Sequence, residues 1–344
     1  MSDYAYANAR LRAMRSRLFD RRAYEDMLGL TRIDDVIAWL DQSTWADDIE
    51  AALARYVGVR VVMEAARLNA ARTYRRIRSF LDGDAVRLLD ILLARWDLAN
   101  LKAILRGQRA GVASETILGT LTPAGSLDEA ALRVLAQQPD APAVAAALRL
   151  WNGEYAAVVS AAWQMAGASG DSHALDDGLD RLFYRRLLAR LRPDGDDDVL
   201  VRQALGREID SANVVAALRM RAGGLVAAED GASFRPGGTL SAAWLAALTR
   251  TERDDEALAR LRETALREAV ASVERLDIAA IERAFDRARV AYGVGFFRRD
   301  GLSIAPVIGY IAAKDAEAAN VRLIAQAVTL GVARSRVEPD LVLE

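Results

Sequence analysis

Apolar positions recur every three or four residues along almost the whole chain, the spacing of helices that bury one face. The pattern predicts an amphipathic helix over residues 5–19 and two short helices between Arg21 and Trp45. In the second of these, Ile33, Val36, Ile37 and Leu40 are in phase, and Thr31-Arg32-Ile33-Asp34 offers a cap. The helical period continues from Trp45 to Phe80, despite the cluster Val57, Val61 and Val62. An Asp82-Gly83-Asp84 break then precedes a long helix. Asp176 to Arg192 is strongly amphipathic, stops at Pro193 and runs into the acidic loop 194–198. The Gly-rich stretch from Gly223 to Gly238 is expected to be a linker, and Thr251 to Arg289 to be helical with one break near Leu276-Asp277. No run alternates long enough to predict a strand, so the expected fold class is all-α.

The long helix ends in RWDLANLKAILRGQRAGV, Arg95 to Val112, where Asn100 falls on the apolar stripe shared by Leu93, Trp96, Asp97 and Ile104. The same pattern returns at Asp210 to Leu225 and at Glu317 to Val332. Each time an acid precedes an asparagine by three positions: Asp97/Asn100, Asp210/Asn213 and Glu317/Asn320. Each time a glycine follows eleven positions later, Gly111, Gly224 or Gly331, as a helix C-cap would. The asparagines stand 113 and 107 residues apart, close to a third of the chain. A second motif, Pro123-Ala-Gly125-Ser126-Leu127, returns as Pro236-Gly-Gly238-Thr239-Leu240 at the same 113-residue step, with Ser126 and Thr239 expected as N-caps. Two motifs with one period predict three homologous helical repeats, residues 1–113, 114–230 and 231–344. Residues 136–174 match neither motif.

Composition narrows the function. The chain is 52% hydrophobic and 27% charged, as a soluble globular protein is. Its 46 basic and 48 acidic residues nearly cancel, which argues against a dedicated nucleic-acid binder. Only Lys102 and Lys314 are lysines. With no cysteine there is no disulfide or thiolate metal site, and the single histidine, His173, sits in a GASGDSHALDD stretch expected to be an exposed, idle loop. The N-terminal stretch lacks the apolar core of a signal peptide, and the longest uncharged stretch, Tyr155 to Gly170, is short of the roughly 20 residues that span a bilayer. A soluble, cytoplasmic protein is expected.

The three acid/asparagine pairs could converge as carboxylates on a metal, but residues at i, i+3 more simply bond each other, cap nearby backbone or fix helix register. The stretch Tyr292 to Gly301 holds a lone Gly-x-Gly without the third glycine or the Lys-Ser/Thr of a nucleotide loop. A hinge or partner loop with two exposed phenylalanines is expected there. Arg72, Arg75 and Arg76, with Arg78 nearby, and Arg181, Arg185 and Arg186 form two clusters that either dock an acidic partner or are solvated faces. The acidic runs 196–198 and 254–256 are expected to be solvated turns. No catalytic residue, cofactor, metal ligand or small-molecule ligand is expected.

Several motifs together resemble one family. They are Tyr6-Ala-Asn8-Ala9-Arg10-Leu-Arg12 at the start and Trp96-Asp97-x-x-Asn100 followed by Leu105-Arg106. Near the end come Gly301, Pro306-Val-Ile-Gly-Tyr310, Lys314, Glu317, Asn320 and Arg322, then Glu338-Pro-Asp-Leu-Val. This resembles the C subunit of V-type and A-type ATPases/ATP synthases, the counterpart of the eukaryotic d subunit. The middle repeat departs most, with Arg219-Met220 where the first has Arg106-Gly107. The resemblance implies three helical domains in a pseudo-threefold funnel with a central cavity. It implies a peripheral protein on the cytoplasmic face of the cell membrane, joining the membrane rotor ring to the D and F subunits of the central stalk. Such a protein transmits torque in proton- or sodium-coupled ATP synthesis or hydrolysis and has no active site. The alternative is a free-standing helical-repeat scaffold for another acidic protein.

Overall fold

A computed structural model describes residues 4–167, 172–299 and 301–343, and every regular element among them is helical. The chain forms two compact units, Met1–Leu89 with Val290–Glu344, and Asp90–Arg289.

The first unit holds α1 (Tyr4–Arg15), α2 (Arg21–Leu28), α3 (Ile33–Asp41), α4 (Ala46–Leu53), α5 (Val59–Arg78) and the start of α6 (Gly83–Arg109). α2 starts at Asp20, whose carboxylate accepts from the Ala23 N–H at 3.0 Å. The expected cap from Thr31 is not used. α3 starts at Arg32 without a side-chain cap, and Asp34 and Asp35 complement the positive end of its dipole instead. The stretch expected to stay helical from Trp45 to Phe80 breaks at Gly58, whose φ of 61° lies where side-chain-bearing residues are strained. From the other end of the chain come α16 (Ala305–Leu330) and α17 (Arg334–Val337). α16 is buried on nearly every side, because α1, α2, α3 and α5 all pack against it. Tyr24, Met27, Leu40, Trp45, Ile49 and Val61 close a core with Val321, Ile324 and Leu341, and Phe19 stacks on Trp45 at 5.9 Å.

The second unit continues α6 and adds α7 (Ser114–Leu118), α8 (Glu129–Ala136), α9 (Ala141–Leu148), α10 (Gly153–Ala166) and α11 (Ser172–Ala189). It ends with α12 (Asp196–Ala222), α13 (Ala242–Thr249), α14 (Asp254–Arg262) and most of α15 (Ile278–Gly295). Asp128, Asp140, Asn152 and Ser241 cap α8, α9, α10 and α13. Ser126 and Thr239 are therefore not the caps expected of them. α12 to α15 enclose Val214, Leu218, Leu245, Leu248, Leu258, Leu261, Ile281 and Phe285.

Residues 263–277 form a chain of tight turns rather than helix. Thr264 causes the switch: its hydroxyl donates to the Leu261 carbonyl and accepts from the Leu266 N–H. Burial of Leu266, Val270 and Val273 then holds the turns against the core. The phenylalanines expected to be exposed after α15 are not: Phe296 is fully buried and Phe297 lies partly covered beneath Arg15. His173 falls in the first turn of α11 instead of a loop, and its side chain lies outside the described residues. Among the described residues no helix is long and apolar enough to cross a membrane.

Candidate functional site: three helix locks and two arginine faces

The two repeated motifs bind each other. Near the middle of α6, Asp97 is wholly buried, and its carboxylate accepts from the Ser126 N–H at 2.8 Å, the Ser126 hydroxyl at 2.8 Å, the Leu127 N–H at 3.0 Å and the Tyr155 hydroxyl at 3.1 Å. On α12, Asp210 takes the same bonds from the Thr239 N–H at 3.0 Å, the Thr239 hydroxyl at 2.6 Å and the Leu240 N–H at 3.0 Å. Gly125 and Gly238 are required by this approach, since a Cβ at either would overlap the carboxylate it faces. Ser126 and Thr239 thus serve as donors to a distant acid. Burial pushes the Asp97 carboxyl above the usual carboxylate range against the pull of its donors.

One helical turn further on, each asparagine grips the backbone of a single residue 22 positions downstream. Asn100 donates to the Thr122 carbonyl at 2.7 Å and accepts its N–H at 2.8 Å. Asn213 does the same to Arg235 at 2.9 and 2.9 Å, and Asn320 to Val342 at 2.8 and 2.9 Å. A side-chain amide carries a donor and an acceptor on one rigid plane, so it can match a backbone C=O and N–H at once. The acid and asparagine of a pair do not bond each other; in the first two pairs they share the work of tying one helix to one loop.

The third lock closes differently. Glu317 accepts from the Phe19 N–H at 2.9 Å, so its loop comes from the opposite end of the chain. Its other oxygen holds the buried Lys314 ammonium, which also lies over the Trp45 ring at 5.2 Å. All three helices then end alike. Gly111, Gly224 and Gly331 adopt φ of 67°, 68° and 64°. The next amide bonds five residues back, Val112 to Gly107, Leu225 to Met220 and Val332 to Ala327, each at 2.8–2.9 Å.

The arginine clusters are less uniform than their spacing suggests. Arg72 is a strut, joining α5 to Asp47 at 2.5 Å and Asp48 at 2.6 Å on α4. Arg75 and Arg76 are exposed beside it. Arg181 donates to the Ala232 carbonyl, whereas Arg185 and Arg186 are exposed. A further ionic network escaped sequence reasoning. Asp180 on α11 accepts from Lys102 on α6 at 2.7 Å and from Arg235 at 2.7 Å, the residue whose backbone Asn213 grips. It joins the first lock's helix to the second lock's loop. The available signal was that Lys102 and Lys314 are the chain's two lysines; both lie in lock helices and both pair with carboxylates.

The profile of the ATP synthase (C/AC39) subunit family matches residues 7–339. The C subunit of the V-type ATP synthase of Deinococcus radiodurans is 32% identical over 322 residues, 94% of this chain and 86% of that protein. The C subunit of the A-type ATP synthase of Haloferax volcanii is 29% identical over 355 residues, 99% of this chain and 98% of that protein. That of Methanosarcina mazei is 25% identical over 348 residues, covering 99% and 93%. Since one family profile covers residues 7–339 and a relative above 30% identity aligns with 94% of the sequence, the chain belongs to the ATP synthase (C/AC39) subunit family.

Proposed function

We propose that this chain is a non-catalytic rotor subunit of a V-type or A-type ATPase/ATP synthase, joining the D and F subunits of the central stalk to the membrane rotor ring. In this role it sits on the cytoplasmic face of the membrane and transmits torque while other components of the complex carry out catalysis and move protons or sodium ions. The observation that carries the proposal is the family match across residues 7–339. The locks suit that role. A torque-bearing body must resist shear between its helices, and each lock pins a helix to a loop with several oriented hydrogen bonds. The three repeats, residues 1–113, 114–230 and 231–344, act as three domains around a central socket. The exposed Arg75, Arg76, Arg185 and Arg186 are the groups offered to acidic partner surfaces.

Titration calorimetry of the purified chain against a recombinant D–F complex tests this. Saturable one-to-one binding that weakens as salt rises is expected, because exposed charge contacts are screened. Absence of binding, both alone and with the rotor ring present, refutes the role.

A further inference from the structure

The first unit contains a cavity of about 340 Å³, within the size range of small-molecule sites. Four cationic side chains line it, Arg17, Arg72, Arg76 and Lys314, with one acid, Asp47. Asp48 and Glu317 stand behind them. Arg72 is committed to Asp47 and Asp48, and Lys314 to Glu317. Arg17 and Arg76 have no side-chain partner among the described residues. Two uncommitted guanidiniums therefore face one pocket.

A second observation is independent of net charge. Thr44, Thr73 and Tyr310 bring hydroxyls to the same cavity, and Met14 and Leu18 form a less polar wall. A ligand here must be anionic towards the arginines and must also offer acceptors to hydroxyl donors. The two oxygens of a simple carboxylate are taken by the two guanidiniums. A phosphate has further oxygens and meets both conditions. Asn69, 3% exposed, lines the same cavity and donates to Asp48 Oδ2 at 2.7 Å, so that acid is already committed.

We propose that this cavity binds a small phosphate-bearing molecule, its phosphoryl group between Arg17 and Arg76 and its remaining oxygens towards the hydroxyls of Thr44, Thr73 and Tyr310. Burial and the neighbouring Glu317 hold the Tyr310 hydroxyl well above its ordinary pKa, so it stays protonated as a donor. The sequence alone points to no small-molecule ligand, because the lining comes from α1 and the turn after it, from the turn before α4, and from α4, α5 and α16, which no local motif connects. The proposal shares Arg76 with the surface offered to partners, but its test does not use a partner, so phosphate binding can fail while the rotor role holds.

The test is titration calorimetry of the full chain with inorganic phosphate and pyrophosphate, chloride holding ionic strength constant. Saturable single-site binding is expected. It weakens at least tenfold in Arg17→Gln and in Arg76→Gln, whose ligand-free unfolding temperatures stay at the wild-type value because both side chains are exposed. Arg149→Gln, an exposed arginine on the second unit, leaves the affinity unchanged. Heats no larger than those of chloride overturn the proposal, as does undiminished binding in the double Arg17→Gln/Arg76→Gln variant. Cosedimentation with phosphatidate vesicles without binding of either free anion also overturns it, since the headgroup would then act at a membrane surface.

Discussion

Replacing Asn213 by leucine removes both bonds that hold the Arg235 backbone while keeping similar bulk. In the wild type the amide is 3% exposed, and its two contacts with Arg235 are each 2.9 Å long. The variant orphans one backbone N–H and one C=O, each worth about 1–3 kcal/mol when buried. Access of water to the part-buried Arg235, and leucine's helix propensity, better by a few tenths of a kcal/mol, offset some of this. The net loss expected is about 2–3 kcal/mol. For a unit of this size about 2–4 °C accompanies each kcal/mol, so calorimetry should show its transition about 4–12 °C lower. Asn213→Asp sharpens the test. It keeps the acceptor for the Arg235 N–H but turns a second oxygen onto the Arg235 carbonyl, so at neutral pH it should lose at least as much. Protonating that aspartate restores a donor and raises its folded-state pKa above the unfolded value, so this variant regains stability as pH falls. A leucine variant within about 0.5 kcal/mol of wild type, or an aspartate variant insensitive to pH, would refute the lock.

Breaking the buried Lys314–Glu317 pair from one side should cost about 3–5 kcal/mol in either Lys314→Met or Glu317→Gln, whereas the double variant should lose less than the larger single loss; denaturant unfolding of all four proteins measures this, and additive losses would contradict it. Asp97 holds its proton to higher pH when folded, so it contributes a loss of stability as pH rises from the unfolded value near 3.9 through the folded one. The stability gap between wild type and Asp97→Asn should therefore shrink over that window, and a widening gap in pH-dependent unfolding would reverse the assignment.

Helix content was legible in the sequence because nearly every element buries one stripe at helical spacing. The lock helices were legible for a different reason: a polar pair on an apolar face needs partners, and its threefold recurrence marked the places. The identity of those partners was not legible. Ser126 and Thr239 carry the residue types and setting of N-caps, and only the fold shows their hydroxyls turned towards Asp97 and Asp210 while Asp128 and Ser241 do the capping. Glu317 is the extreme case, since its donor, Phe19, lies 298 positions away. Arg72 illustrates the limit of charge patterning, which counts cations on a face but cannot see Asp47 and Asp48 waiting on the neighbouring helix. Phe296 and Phe297 sit among glycines and arginines, and local composition suggested exposure where tertiary packing imposes cover.

The meeting of Phe19 with Glu317 also sets a timetable for a chain made from its N-terminus. Residues 90–289 hold both halves of the first two locks, so their unit can close as soon as its last helix leaves the ribosome. The first 89 residues cannot do the same, because the helix that covers Met27, Leu40, Trp45 and Ile49 is translated only after residues 90–289. At about 5–20 residues per second the wait is on the order of 10–45 s. During it the apolar surface of residues 1–89 stays uncovered while the unit made after it is already finished, so the nascent chain is most exposed to aggregation, and most in need of a chaperone, in the stretch made before that unit.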